Sequence, residues 1–180
     1  MTPDRRRLVF AACAVPVAAS LAAWLSGCDQ SDAAVALKPA EIDPATTCDL
    51  DGMLLADYPG PKGQILYVGA AAPVFCCDTV ELFSLLLKPE QVRAVRAAFV
   101  QDMAKADWDQ PRGHWIDAKA AVYVLGGKRQ GSMGPTFASF AEATAAAEFA
   151  RQLGGKVLRF AEITPEMADL SGGAQHDTRM

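Results

Sequence analysis

The chain has 180 residues, 51% of them apolar and 21% charged, with a formal net charge of −4. That balance suits one small globular body and excludes a fibre, a disordered tail and a multi-span membrane protein. The acidic balance argues against a general nucleic-acid binder, which needs clustered cations to displace counterions, and two His with five Cys are too few for an array of zinc fingers.

The first residues read as an address. Arg5, Arg6 and Arg7 make a positive start, and residues 8–25 then carry no charge. The run ends at Leu25-Ser26-Gly27-Cys28, which resembles a bacterial lipobox. The order predicts a secretory signal peptide over residues 1–27 and lipidation of Cys28. The alternative is a permanent N-terminal membrane anchor, since the apolar run approaches spanning length. Removing 27 residues, with three Arg and one Asp among them, leaves 153 residues at a charge of −6. The thiols left for chemistry are then Cys48, Cys76 and Cys77, an odd count for an oxidising compartment.

Residues 28–45 are small and polar with Pro39 and Pro44, and read as a flexible tether. Residues 171–180 are polar, with a Gly pair near their start, and read as a disordered tail. The body between them, residues 46–170, carries an internal repeat, with halves at about 46–105 and 106–170. The strand-like run at 65–69 (ILYVG) matches 122–126 (VYVLG). The run at 73–77 (PVFCC) matches 135–139 (PTFAS). A helical stretch follows each, over 79–87 and 141–153, the second stopped by Gly154-Gly155.

The second copy closes on an alternating strand at 156–160. In the first copy Val92, Val95, Phe99 and Met103 have helical spacing, whereas the repeat demands a strand at 95–101. The repeat predicts that strand, with residues 89–93 left as a possible short helix. The fold class is therefore α+β, with duplicated ββαβ-type halves packed together because neither alone buries enough surface.

The chemistry lies in sulfur. The candidates are Cys48, Met53, Cys76, Cys77 and Met133. Thiolate with thioether is a soft donor set that favours Cu(I) over Zn, Mg or Ca. Gly52 and Gly134 each stand beside a methionine and permit turns that present it. One of Cys76 and Cys77 is expected to face inward as a small apolar residue, and the other to lie near a helix N-terminus, where a thiolate is favoured. His114, in a loop between the halves, is a possible additional ligand, as are Cys76 and Cys77.

The string Cys48-x-x-x-Gly52-Met53, with Asp57-Tyr58-Pro59-Gly60-Pro61, Phe75-Cys76, Trp115-Ile116-Asp117-Ala118, Met133-Gly134 and Gly154-Gly155-Lys156-Val157-Leu158, resembles the NosL family of nitrous oxide reductase accessory lipoproteins. The resemblance covers the whole chain, lipobox included. It implies a periplasmic Cu(I)-binding metallochaperone, not an enzyme, that supplies copper for the centres of nitrous oxide reductase. It also implies a NosDFY-type ABC transporter complex as partner and a fold related to the organomercurial lyases. Many members carry Cys-x-x-Cys-Gly-Met, and here the second Cys is Asp51. Cys48 and the methionines Met53 and Met133 are therefore expected to hold the ion. Asp29, directly after Cys28, resembles the signal that retains lipoproteins in the inner membrane. The rival readings are a structural lipoprotein without metal, and a thiol or organomercurial-lyase-like protein using Cys76, Cys77 and Asp78.

Overall fold

A computed structural model describes residues 37–170; the leader with Cys28, the start of the tether and the tail lie outside the described residues. The first repeat comprises β1 (Gly63–Tyr67), β2 (Val74–Cys76), α1 (Thr79–Leu86) and β3 (Val95–Gln101). A short strand, β4 (Trp115–Asp117), follows. The second repeat comprises β5 (Val122–Gly131), β6 (Gly134–Phe140), α2 (Ala143–Leu153) and β7 (Lys156–Arg159).

The two sheets run β2-β1-β3-β4 and β6-β5-β7, antiparallel throughout. In each repeat the first strand is central, with the second and the last strands on either side. The expected ββαβ unit is thus present twice, and β4 extends the first copy by one edge strand. Residues 95–101 are strand, as the repeat required. Residues 89–93 form no helix. The stretch turns at Pro89-Glu90, and the Gln91 side chain takes the Arg93 N–H that a helix would have used.

Packing explains the difference between the two helices. α1 lies against β1 and β2 of one sheet and β6 of the other, so it is apolar on nearly every side, with Val80, Leu82 and Phe83 buried. Phe83 touches the rings of Tyr123 and Phe137 at 4.9 Å and of Phe160 at 5.6 Å, which joins the halves in one core. α2 covers only the second sheet and is amphipathic, with Ala146 buried and Glu148, Arg151 and Gln152 exposed. Strand alternation serves both layers: Tyr123 and Phe137 face the main core, while Val122, Val124 and Phe140 pack under α2.

The body begins before residue 46. Ile42 is buried, and the Gln64 side chain pairs with both the N–H and the carbonyl of Ala40 at 2.8 and 2.9 Å. No helix among the described residues is long and apolar enough to cross a membrane.

Candidate metal centre

The centre is built from three segments. The first is the loop at residues 48–53. The Cys48 N–H donates to the Met53 carbonyl at 2.8 Å, and the Gly52 N–H to the Cys48 carbonyl at 2.9 Å. Gly52 sits at φ +79, which a side chain would strain, and Asp51 Oδ1 accepts the Met53 N–H at 2.9 Å. The loop therefore folds back on itself and brings Cys48 and Met53 to its base. Asp49 locks it to the end of β2: its N–H donates to the Phe75 carbonyl, and its carboxylate accepts the Phe75 N–H at 2.6 Å.

The second segment joins β2 to α1. Strand alternation sends Cys76 into the main core, whereas Cys77 joins Ile42, Cys48 and Leu55 in a separate cluster. Asp78 is the N-cap of α1, accepting the Val80 N–H at 3.0 Å. One turn on, Glu81 is fully buried. Its Oε2 accepts both the Cys48 thiol at 3.2 Å and the Cys77 N–H at 2.8 Å.

The third segment is the two-residue turn Ser132-Met133 between β5 and β6, closed by the Gly131–Gly134 pair. It docks on the second segment. Ser132 Oγ donates to the Cys77 carbonyl, and Asp78 accepts the Met133 N–H at 3.3 Å and the Thr136 hydroxyl at 2.6 Å. Gly131 makes room for this: a Cβ there would lie 2.1 Å from Asp78 Oδ2. Met53, Met133, Phe75 and Trp115, all half-buried, pack against the Cys48–Cys77 cluster. Thiols and thioethers from three distant stretches of chain thus meet in one place.

The electrostatics are those of buried acids around thiols. Burial pushes the Glu81 and Asp78 carboxyls up. Cys77 is pushed up as well, by its interaction with Cys48, then by burial and by Glu81. The cysteine expected beside the N-terminus of α1 is Cys77, and there burial and these neighbours outweigh the helix end in the direction of the shift. In the main core, burial raises Cys76 too. Lys62 is fully buried behind the centre, its Nζ donating to the Pro59 carbonyl at 3.0 Å. Burial lowers its pKa from 10.5 to about 8, against the pull of Asp78, Cys77, Glu81 and Cys48.

Of the residues singled out in the sequence, Cys48, Met53, Met133 and Cys77 come together. Cys76 does not, and His114 is exposed ahead of β4, outside the group of close donor atoms. That group is Cys48, Asp51, Cys77 and Glu81, whose donor atoms all lie within 4.8 Å of one another. Sequence reasoning missed Glu81 and Lys62. The signal for Glu81 was there: it is the lone charge in a helix apolar on nearly every side, so burial of the helix buries it too. Lys62, between Pro61 and Gly63, gives no such sign.

The NosL family model matches residues 39–168. The copper-binding lipoprotein NosL of Stutzerimonas stutzeri is 36% identical, over 89% of this chain and 87% of its own length. That of Achromobacter cycloclastes is 40% identical, over 91% and 83%. The crystal structure of the copper chaperone NosL from Shewanella denitrificans superposes with a TM-score of 0.69 at 39% identity, covering 72% of this chain and 97% of that one. The mixed α/β architecture with two sheets and two helices is therefore that of a solved relative, and the chain belongs to the NosL family.

Proposed function

We propose that this chain is a Cu(I)-binding metallochaperone that supplies copper for assembly of the centres of nitrous oxide reductase. One Cu(I) is held by Cys48, Met53 and Met133, with the Cys77 thiol beside Cys48 as a further soft donor. The observation that carries this is the convergence of these four sulfur residues in one cluster drawn from three segments. Soft donors match a soft monovalent ion, and half-exposed thioethers over buried thiols suit cargo that must be taken up and released. The relatives named as copper-binding lipoproteins support the same reading.

The chain is anchored through lipid on Cys28, faces the periplasm and works at the inner membrane, beside a NosDFY-type transporter complex. The lipobox and Asp29 support this placement. The kinship of the duplicated fold with the organomercurial lyases is part of the proposal, supported by the repeated ββαβ unit.

The test is anaerobic titration against a chromophoric Cu(I) chelator. One equivalent should bind tightly, and Cys48→Ser should lose the most affinity, because it removes an anionic ligand. If both Cys48→Ser and Met133→Ala bind Cu(I) as wild type does, the assignment fails. Delivery is tested by whether a strain carrying only Cys48→Ser protein accumulates copper-deficient nitrous oxide reductase. Fractionation tests the anchor: a Cys28→Ala protein still bound to the membrane would refute it.

A further inference from the structure

We propose that the end of the first sheet farthest from the metal centre is a membrane-docking tip. It seats the body on a bilayer carrying anionic lipid headgroups and turns the centre away from that surface. The inference rests on the lipid anchor at Cys28 to bring the body to a membrane, and adds which face meets it.

The tip is made of two loops that meet. One follows β1, at residues 68–72, and the other precedes β3, at residues 88–94. The Val68 N–H donates to the Ala94 carbonyl at 2.8 Å, and Gln91 Nε2 donates to the Tyr67 hydroxyl at 2.9 Å. The Arg93 guanidinium lies over the buried Tyr67 ring at 3.7 Å. The loops are thus held as a platform. On it Val92 is 91% exposed and Val68 64%, the most exposed large apolar side chains among the described residues. Ala71, Ala72 and Pro89 are exposed with them. A single exposed valine is ordinary, whereas apolar side chains grouped on two joined loops mark a contact surface.

Charge selects the occupant. Lys88, Arg93 and Arg96 stand exposed here against one acid, Glu90, a local charge of +2 in a chain that is acidic overall. The ion pairs among the described residues use Lys105, Arg129 and Arg151, and none of these three cations. The other end of the sheet is the reverse. Residues 41–57 carry five exposed acids, Glu41, Asp43, Asp49, Asp51 and Asp57, and no Lys or Arg. Register separates the two ends: Gly63 pairs with Cys76 beside the centre, and Tyr67 pairs with Val95 at the tip. Five residues of strand put roughly 15 Å between them. A negative surface therefore attracts the tip and repels the centre end, which fixes the orientation. Cations interleaved with apolar side chains suit the boundary between headgroups and acyl chains.

The tether brings that surface within reach. The body is first held at Ala40, on Gln64, and 12 residues separate it from Cys28. Twelve residues span at most about 40 Å, ample for the length of the sheet. Docking is then intramolecular, so a weak tip suffices to orient an anchored protein.

The experiment uses the mature lipidated protein in vesicles of phosphatidylethanolamine and phosphatidylglycerol, doped with lipid brominated high on its acyl chains. Bromine quenches tryptophan fluorescence at that depth. Quenching is read for Val92→Trp at the tip and for Leu50→Trp at the centre end, each against wild type. The expected result is strong quenching of Val92→Trp and none of Leu50→Trp. Lys88→Gln and Arg96→Gln should each lower the docked-to-undocked ratio by roughly fivefold, the worth of one cation near an anionic surface. Hydrogen exchange on the unsubstituted protein guards against an introduced tryptophan that inserts by itself: residues 68–72 and 88–94 should be protected on vesicles. Flotation reads the anchor separately. Protein that floats with neither quenching at 92 nor protection of the two loops overturns this inference and leaves the anchor standing, and protein that does not float overturns both. Protection at residues 41–57 in place of the tip, or quenching indifferent to both charge substitutions, also overturns it.

Discussion

The backbone N–H of Met133 donates to the carboxylate of Asp78 across 55 residues of sequence. One side chain thus caps the helix that follows Cys77 and holds the turn that carries Met133. It ties a thiol of the first repeat to a thioether of the second. With Met133 a ligand as proposed, Asp78 is a positioning residue that acts on the ion through it.

Asp78→Asn is expected to lower Cu(I) affinity by roughly tenfold, the scale of losing an outer-shell partner. The loss should largely vanish in a Met133→Ala background, because the position being held no longer matters. A double-mutant cycle on Cu(I) affinity measures this coupling. Additive effects of the two substitutions would show that Asp78 acts on the fold alone.

Gly131→Ala puts a methyl group 2.1 Å from Asp78 Oδ2 and 2.9 Å from Thr136 Cβ. Asp78 is buried and bonded on both oxygens, so it cannot step aside without losing a partner. We predict destabilisation of about 1–3 kcal/mol, read by urea unfolding, together with weaker Cu(I) binding. A variant as stable as wild type would show that the turn shifts freely.

The adjacent cysteines should separate cleanly. Cys77→Ser is predicted to weaken Cu(I) binding with little effect on stability. Cys76→Ser is predicted to leave affinity alone and cost about 1–3 kcal/mol, since it puts a hydroxyl into the main core. Thermal unfolding and Cu(I) titration of both variants decide it, and an inverted pattern would overturn the assignment of faces.

Lys62 gives a pH signature. Its folded-state pKa is about 8 against 10.5 in the open chain. Below about pH 8 both states keep the proton and the full burial penalty stands. Between about 8 and 10.5 the unfolded chain holds a proton that the folded one has lost, so stability rises with pH. Relative to Lys62→Met, wild-type apo protein should gain up to about 3 kcal/mol across that window. The comparison cancels Cys76 and Cys77, whose raised pKa values act in the opposite sense. Urea unfolding of both proteins at the two ends of the window checks this, and a difference flat with pH would refute it.

Much of the fold was legible in the sequence because its signals are local or repeated. Strand-like runs matched between the two copies marked the strands of the repeat but not β4, Gly154-Gly155 marked the stop of α2, and the duplication settled residues 95–101, where helical spacing pointed the wrong way. The sulfur residues stood out by type, and Cys48, Met53 and Met133 lie in one cluster; that they hold the ion is the proposal. Tertiary structure decided what depends on facing and burial. Only the pleat at the end of β2 sends Cys76 to the core and Cys77 to the centre. Only the docking of the β5–β6 turn on Asp78 places Met133 beside a cysteine 56 positions earlier in the chain. And only the wedging of α1 between two sheets turns Glu81 into a buried acid at the thiols, since a glutamate in a helix takes its meaning from what surrounds it and not from its neighbours in sequence.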